Sequence, residues 1–277
     1  MTYLIIAIVN MFIIDNEVFI RLSFFCGIFV FMATWEIITP RRSLSNPRGT
    51  RWFNNLTLTF LNSMIVRWLF PVTAIGFALY SREHNWGIFN VLEIPKGATG
   101  ILSIVALDLT IYAQHVFFHR IPIFWRLHRM HHTDLDIDVT TGARFHPVEI
   151  IASMGIKIAI IVILGAPAWS VLIFEVLLNT TSMFNHGNVF MNYRIDKFLR
   201  TFLVTPDMHR VHHSVIIQET NSNFGFNFPY WDHLFGTYRD QPISGHEAMS
   251  VGLANYRDQK WLTLPWMLAV PFFDKHR

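Results

Sequence analysis

The sequence predicts an all-α fold, a polytopic membrane helical bundle with a helical cap on its cytoplasmic face. Three observations predict it. Of 277 residues, 52% are hydrophobic and only 15% charged, whereas roughly a quarter of a soluble domain is charged. Several apolar runs reach the roughly 20 residues that a helix needs to cross a hydrocarbon core. The polar remainder is dominated by one residue type, since most of the 14 histidines fall between His115 and His213.

The first clear span runs from Val18 to Ile38, with an apolar stretch before it that Asp15, Asn16 and Glu17 interrupt. Met1 to Ile14 lacks a basic leader and a small-residue cleavage site, so it is expected to be retained. A second span is expected from Leu56 to Tyr80. The loop between these spans carries Arg41, Arg42, Arg48 and Arg51, and the positive-inside rule puts it in the cytoplasm. Ser81 to Lys96 then forms an external loop with Trp86 at the interface, and a third span, Gly97 to Phe118, returns the chain to the cytoplasmic side. Val148 to Thr181 is broken by Gly165, Ala166 and Pro167, which predicts a helical hairpin, spanning or re-entrant. Trp261 to Phe273 holds two prolines and is too short to span, so it is expected to pack or lie on the membrane surface. Without repeats or linkers, residues 1–277 read as a single membrane-embedded domain with its histidine core at about 100–240.

The charge of +3 is mild and its arginines flank apolar runs, which reads as membrane anchoring and not as a nucleic-acid footprint. A lone cysteine, Cys26, excludes an internal disulfide. The histidines fall into boxes. His115 and His119 form HxxxH at the end of the third span, and residues four apart share a helix face. His128, His131 and His132 form HxxHH, and His209, His212 and His213 repeat it. Eight imidazoles exceed what one structural zinc site uses, so two metals fit the count better. Imidazole suits iron, zinc, copper and nickel alike. Iron is preferred because a lipid-facing site suits oxygen activation against an inert C–H bond, chemistry no side chain performs alone. Zinc can substitute in purified material.

The boxes, their order and the intervening hairpin resemble the fatty acid hydroxylase and sterol desaturase superfamily, which includes sterol oxidases, fatty acid 2-hydroxylases and alkylglycerol monooxygenase. The resemblance extends to Arg144-Phe145-His146-Pro147-Val148-Glu149, Phe184-Asn185-His186-Gly187-Asn188, Thr205-Pro206-Asp207-Met208-His209-Arg210, Asn223-Phe224-Gly225 and Trp231-Asp232-His233-Leu234-Phe235-Gly236-Thr237. It implies that His115, His119, His128, His131, His132, His209, His212 and His213 ligate metal, with His186 as a ninth. His146 and Glu149 are expected to support a ligand from behind, as are Asp207 and Asp232, for which salt bridges to Arg210 or Arg239 compete. His233 stands where family members often carry arginine and is discounted. His84, His246 and His276 lie outside the boxes and are expected at the surface. Phe117, Phe118, Phe224, Phe226, Phe228, Tyr230 and Trp231 are candidates to wall a lipid channel.

The activity implied is an oxidoreductase, a di-iron oxygenase that hydroxylates or desaturates a membrane lipid with O2. The chain has no dinucleotide fingerprint, haem motif or iron–sulfur cysteines, so a separate reductase, ferredoxin or cytochrome must supply electrons. The expected location is the bacterial inner membrane or the endoplasmic reticulum, with the boxes on the cytoplasmic side. Two rivals are a membrane zinc hydrolase of lipid esters and a non-enzymatic metal transporter, although a transporter would be expected to place its ligands within the spans.

Overall fold

The computed structural model describes residues 2–92 and 94–273, with side chains from residue 16 onward apart from residue 96. It is helical, with no named strand among the described residues. Helix α1 is Thr2–Ile38, α2 Arg48–Leu69, α3 Ala74–Glu83, α4 Ile88–Val91, α5 Lys96–Arg120, α6 Pro122–His132, α7 Pro147–Leu164 and α8 Ala168–Asn185. Short helices complete the cap: α9 Tyr193–Leu199, α10 Pro206–His212, α11 Ile217–Thr220, α12 Tyr230–Leu234, α13 Gly245–Ala248 and α14 Leu264–Ala269. Among the described residues four segments are long and apolar enough to cross a membrane: Asn16–Ile38, Arg48–Val91, Gly97–Arg120 and Pro147–Leu164.

Helix α8 is the axis of the bundle, packing against α1, α3, α5 and α10. Val171, Leu172 and Phe174 on α8 meet Ile75 and Ala78 of α3, Leu107 and Ile111 of α5 and Ile161 of α7. The opposite surfaces are apolar and bare: Phe19, Val30 and Phe31 on α1, and Phe53, Phe60 and Trp68 on α2, are all more than half exposed. Helix α2 is inside out. Its buried face carries Arg51, Asn54, Asn55 and Asn62, at the three- and four-residue spacing of one helix face, while its aromatics point outward. Such a helix is stable only where lipid replaces water around it.

The expected second span, Leu56 to Tyr80, is two helices. Phe70 leaves the helical region at φ −118° and Pro71 follows; a proline there has no N–H for the ladder and its ring clashes with the turn before it. Helix α3 turns to pack against α7 and α8. Helix α1 runs without a break through Asp15, Asn16 and Glu17. The hairpin at 165–167 forms as the sequence predicts. Gly165 adopts φ +68° and its amide bonds to Ile161 and Val162 carbonyls, closing α7, and Pro167 precedes α8. The segment from Trp261 packs inward: Trp261, Met267 and Val270 form a core with Leu58, Met130 and Tyr256.

Candidate metal centre

Four elements deliver the histidines. Helix α5 ends with His115 and His119 on one face, and Ile121 turns the chain at φ −94°, ψ 119°. Pro122 opens α6, where its missing N–H costs nothing, and α6 carries His128, His131 and His132. His186 caps the end of α8. Helix α10 starts at the Thr205 cap, whose hydroxyl accepts from Met208 N, and carries His209 and His212, with His213 as its C-terminal residue.

The nine imidazoles gather into two buried groups. His115, His119, His128, His132 and His212 form one, and His131, His186, His209 and His213 the other; within each group the ligand atoms lie within 4.8 Å of one another. The groups adjoin, with the rings of His132 and His213 4.6 Å apart. Backbone carbonyls set the tautomers. A carbonyl can only accept, so Nδ1 of His115 donates to Phe224 O (2.8 Å), that of His131 to Arg144 O (3.1 Å), that of His186 to Ser182 O (2.7 Å) and that of His212 to Ser222 O (2.8 Å). Each leaves a bare Nε2 lone pair. His186 Nε2 then lies 3.1 Å from Nε2 of both His131 and His209, and for His131 two lone pairs face each other with no proton between them. Nε2 of His115 and His212, and both ring nitrogens of His132 and His213, have no hydrogen-bond partner. Buried lone pairs converging without donors are the requirement of a cation, and the donor set is that of a transition-metal site.

Burial strips water from these rings and disfavours their charged forms, so His131, His132, His209, His212 and His213 have pKa values well below the usual 6.5, and His186 is pushed down to about 3. The six stay neutral when folded but protonate near 6.5 when unfolded. Metal-free protein should therefore be most stable above pH 6.5 and lose stability as pH falls from there toward about 3. The loss approaches about 1.4 kcal/mol per pH unit for each histidine. Thermal unfolding of the metal-free protein between pH 7.5 and 5 tests this, and a flat profile would contradict it.

Glu149 and Asp232 stand behind the histidines in different ways. Glu149, in the first turn of α7, brings Oε1 to 2.6 Å from His128 Nδ1. Asp232 acts one step further back: its carboxylate accepts from Phe224 N (2.8 Å), Gly225 N (2.7 Å) and Thr237 Oγ1 (2.6 Å), holding the loop whose carbonyl orients His115. Asn223, at φ +51°, starts that loop. His146 reaches none of the nine clustered histidines. Its Nδ1 accepts from Val148 N and its Nε2 faces Leu268 O, so it caps α7. Asp207 pairs with Arg41 and Arg210 instead of one of the nine clustered histidines. Replacing Glu149 by glutamine puts an amide in place of the carboxyl group beside His128; the E149Q variant should bind metal about 10- to 100-fold more weakly, as measured by chelator competition.

His246, expected at the surface, is 6% exposed, with Nε2 3.7 Å from Asp207; burial holds its pKa down at about 4. Its neighbours come from distant sequence, which is why no local motif marks it. His84 is exposed and stacks on Tyr80, His233 is exposed and stacks on Tyr238, and His276 lies outside the described residues. Sequence reading misses the four orienting carbonyls, because any residue type supplies one. It also misses Arg51 and underrates Arg144. Arg51 is fully buried and forks onto Asp134 just beyond the second box. Arg144 bonds Met130 O, Thr133 Oγ1, Asn55 Oδ1 and Trp261 O.

A cavity of about 320 Å³ between α1, α2, α5, α7 and α8 reaches His115 and His128. Of the seven candidate channel aromatics only Phe118 and Phe226 line it. Phe117 lies 100° further round α5 and is 55% exposed, Phe224 is packed under the histidine rings, and Trp231 is held by Asp108.

The fatty acid hydroxylase family matches residues 100–237, half of the chain, which contains all nine histidines. The chain belongs to the fatty acid hydroxylase superfamily. An ornithine lipid hydroxylase of Rhizobium tropici is 26% identical over 255 residues, covering 89% of this chain and 73% of that protein. Alkylglycerol monooxygenases of Xenopus tropicalis and Homo sapiens are 25% and 23% identical, over 65% and 58% of this chain. The chain spans only 40% and 35% of their lengths. No solved structure matches the chain. A hydroxylase family favours neither the hydrolase nor the transporter, and its members' names are those of oxidoreductases acting on lipids.

Proposed function

We propose that this superfamily member is an integral-membrane di-iron oxygenase that hydroxylates a membrane lipid at the cytoplasmic face of its bilayer. The observation that carries the reading is the meeting of two buried histidine groups with a cavity walled largely by helices long and apolar enough to cross a membrane. The five-histidine group would hold one ion and the four-histidine group the other. Iron there supplies the one-electron chemistry that activates O2 against an unreactive C–H bond.

The chain's own residues prepare the rest. Carbonyls and Glu149 aim the imidazoles, so little reorganisation is needed when ions bind. Phe118, Phe226 and Ile111 wall the cavity with apolar surface, which favours a hydrocarbon and excludes bulk water. Of the nine histidines His115 and His128 line the cavity, so the reacting carbon lies against the five-histidine group. Hydroxylation balances as RH + O2 + 2 electrons + 2 protons giving ROH + H2O, while desaturation consumes the same equivalents and gives an alkene and two waters. A separate reductase, ferredoxin or cytochrome brings the electrons to the basic face that holds the exposed Arg120 and Arg126. The relatives named for ornithine lipid and alkylglycerol support a polar lipid as substrate.

Purified protein in lipid nanodiscs, loaded with ferrous iron and given a chemical reductant, should consume O2 and place one atom from 18O2 in a lipid product. Zinc-loaded protein should do neither. Product oxygen derived from 18O-labelled water, with zinc active, would instead establish the hydrolase.

A further inference from the structure

The end of the cavity next to the histidines holds buried acceptors that no protein donor meets. Asn62 is 6% exposed; its Nδ2 donates to Phe145 O (2.8 Å), which fixes the amide and leaves Oδ1 buried with no partner. Gln114 immediately precedes His115, and its Oε1 is likewise buried with no partner. The Glu149 carboxylate lines the same end. Of the four lining hydroxyls, three are turned away to helix or loop carbonyls, Thr59 to Asn55 O (2.8 Å), Ser63 to Thr59 O (2.8 Å) and Ser182 to Gly142 O (2.6 Å), and the fourth, Ser153, lies one turn beyond Glu149 on α7 and meets neither amide oxygen.

Elsewhere in the cavity Phe25, Val66, Ile111, Met154 and Leu178 present hydrocarbon, and Glu175 is paired with both Arg21 and Lys157. Lys157 lies eight residues beyond Glu149 on α7, about 12 Å along the helix. The charged groups there satisfy one another, whereas the amide oxygens beside His115 do not. A buried acceptor without a donor costs about 1–3 kcal/mol, and hydrocarbon offers no water in compensation.

We propose that this end of the cavity binds the headgroup of the lipid substrate, and that the headgroup is a hydrogen-bond donor, a free hydroxyl or a protonated amine, received by Asn62 Oδ1 and Gln114 Oε1. The alkyl chain then runs toward Leu178. This rests on the oxygenase reading for the identity of the bound molecule as substrate, and it orients that molecule with its polar end at the histidines.

The test is binding to metal-loaded protein without O2, using two matched pairs of probes. Hexadecan-1-ol is compared with hexadecyl methyl ether, and hexadecylamine with hexadecyltrimethylammonium; each pair keeps the chain and the charge and replaces every donor hydrogen with a methyl group. The donor-bearing member of at least one pair should bind about tenfold more tightly, equivalent to about 1.4 kcal/mol, and the pair that discriminates distinguishes a hydroxyl from an amine. Gln114→Met removes an acceptor that engages no protein group, so the fold is retained, and the preference should shrink by severalfold; adding Asn62→Leu should bring it near one. Equal affinities within both pairs, or a preference untouched by Gln114→Met, would overturn the proposal. Lipid oxidation is scored separately with O2 and reductant. Donor preference without oxidation counts against the oxygenase alone, and oxidation without donor preference against the headgroup site alone.

Discussion

Replacing His131 with alanine should lower the metal content from two ions toward one per chain and reduce lipid oxidation by more than about 100-fold, beyond the 10- to 100-fold typical of losing an outer-shell partner. His131 belongs to the four-histidine group, so its loss leaves His186, His209 and His213, while the five-histidine group keeps all its members. The side chain's other contacts are replaceable: its Nδ1 bonds a backbone carbonyl and its ring stacks on Phe145 at 4.5 Å. Fold and half the metal should therefore survive. Elemental analysis with O2 uptake checks both, and a variant that retained two ions or stayed within tenfold of the parent's turnover would refute the assignment.

Arg51→Met should destabilise the protein by about 3–5 kcal/mol, the usual cost of stripping one partner from a buried ion pair. Arg51 Nε and Nη2 bond Asp134 at 2.8 and 2.9 Å, Nη1 bonds Asp138, and Nη2 also reaches Asp136 O and Thr141 Oγ1. Without the guanidinium, Asp134 and Asp138 are left in a nearly water-free interior. Asp134 follows His131, His132 and Thr133, so the damage passes directly to members of both histidine groups. Arg51→Lys keeps the charge but not the planar fork and should recover only part of the loss. The Arg51 cation holds Asp134 down at about 2. Asp134's contribution is thus full above the ordinary carboxylate range near 4 and disappears as pH falls through about 2. Unfolding midpoints of Arg51→Met and Arg51→Lys equal to the parent's would show the network to be dispensable.

The parts of the molecule legible in its sequence are those whose chemistry is local. Helical periodicity puts His115 beside His119, and Gly165 and Pro167 break an apolar run where only a turn can form. The family relation bears out the resemblance read from the boxes. Less legible are features assembled from distant positions. Arg21, Lys157 and Glu175 each look like an isolated charge in an apolar run, yet they meet in one cluster within the bundle. The inward face of α2 is hidden because its aromatics dominate the hydropathy while its asparagines carry the contacts. Pro71 was readable, and the apolar run masked it.

The two histidine groups are distributed unevenly along the chain as well as in space. Four members of the five-histidine group lie at or before residue 132, whereas three of the four in the other group lie at or after residue 186. On the ribosome the first group is nearly complete before the α7–α8 hairpin has been made, and the second waits for α10. Neither histidine group is therefore complete until α10 has been made, and the four-histidine group has only His131 in place before α8 ends.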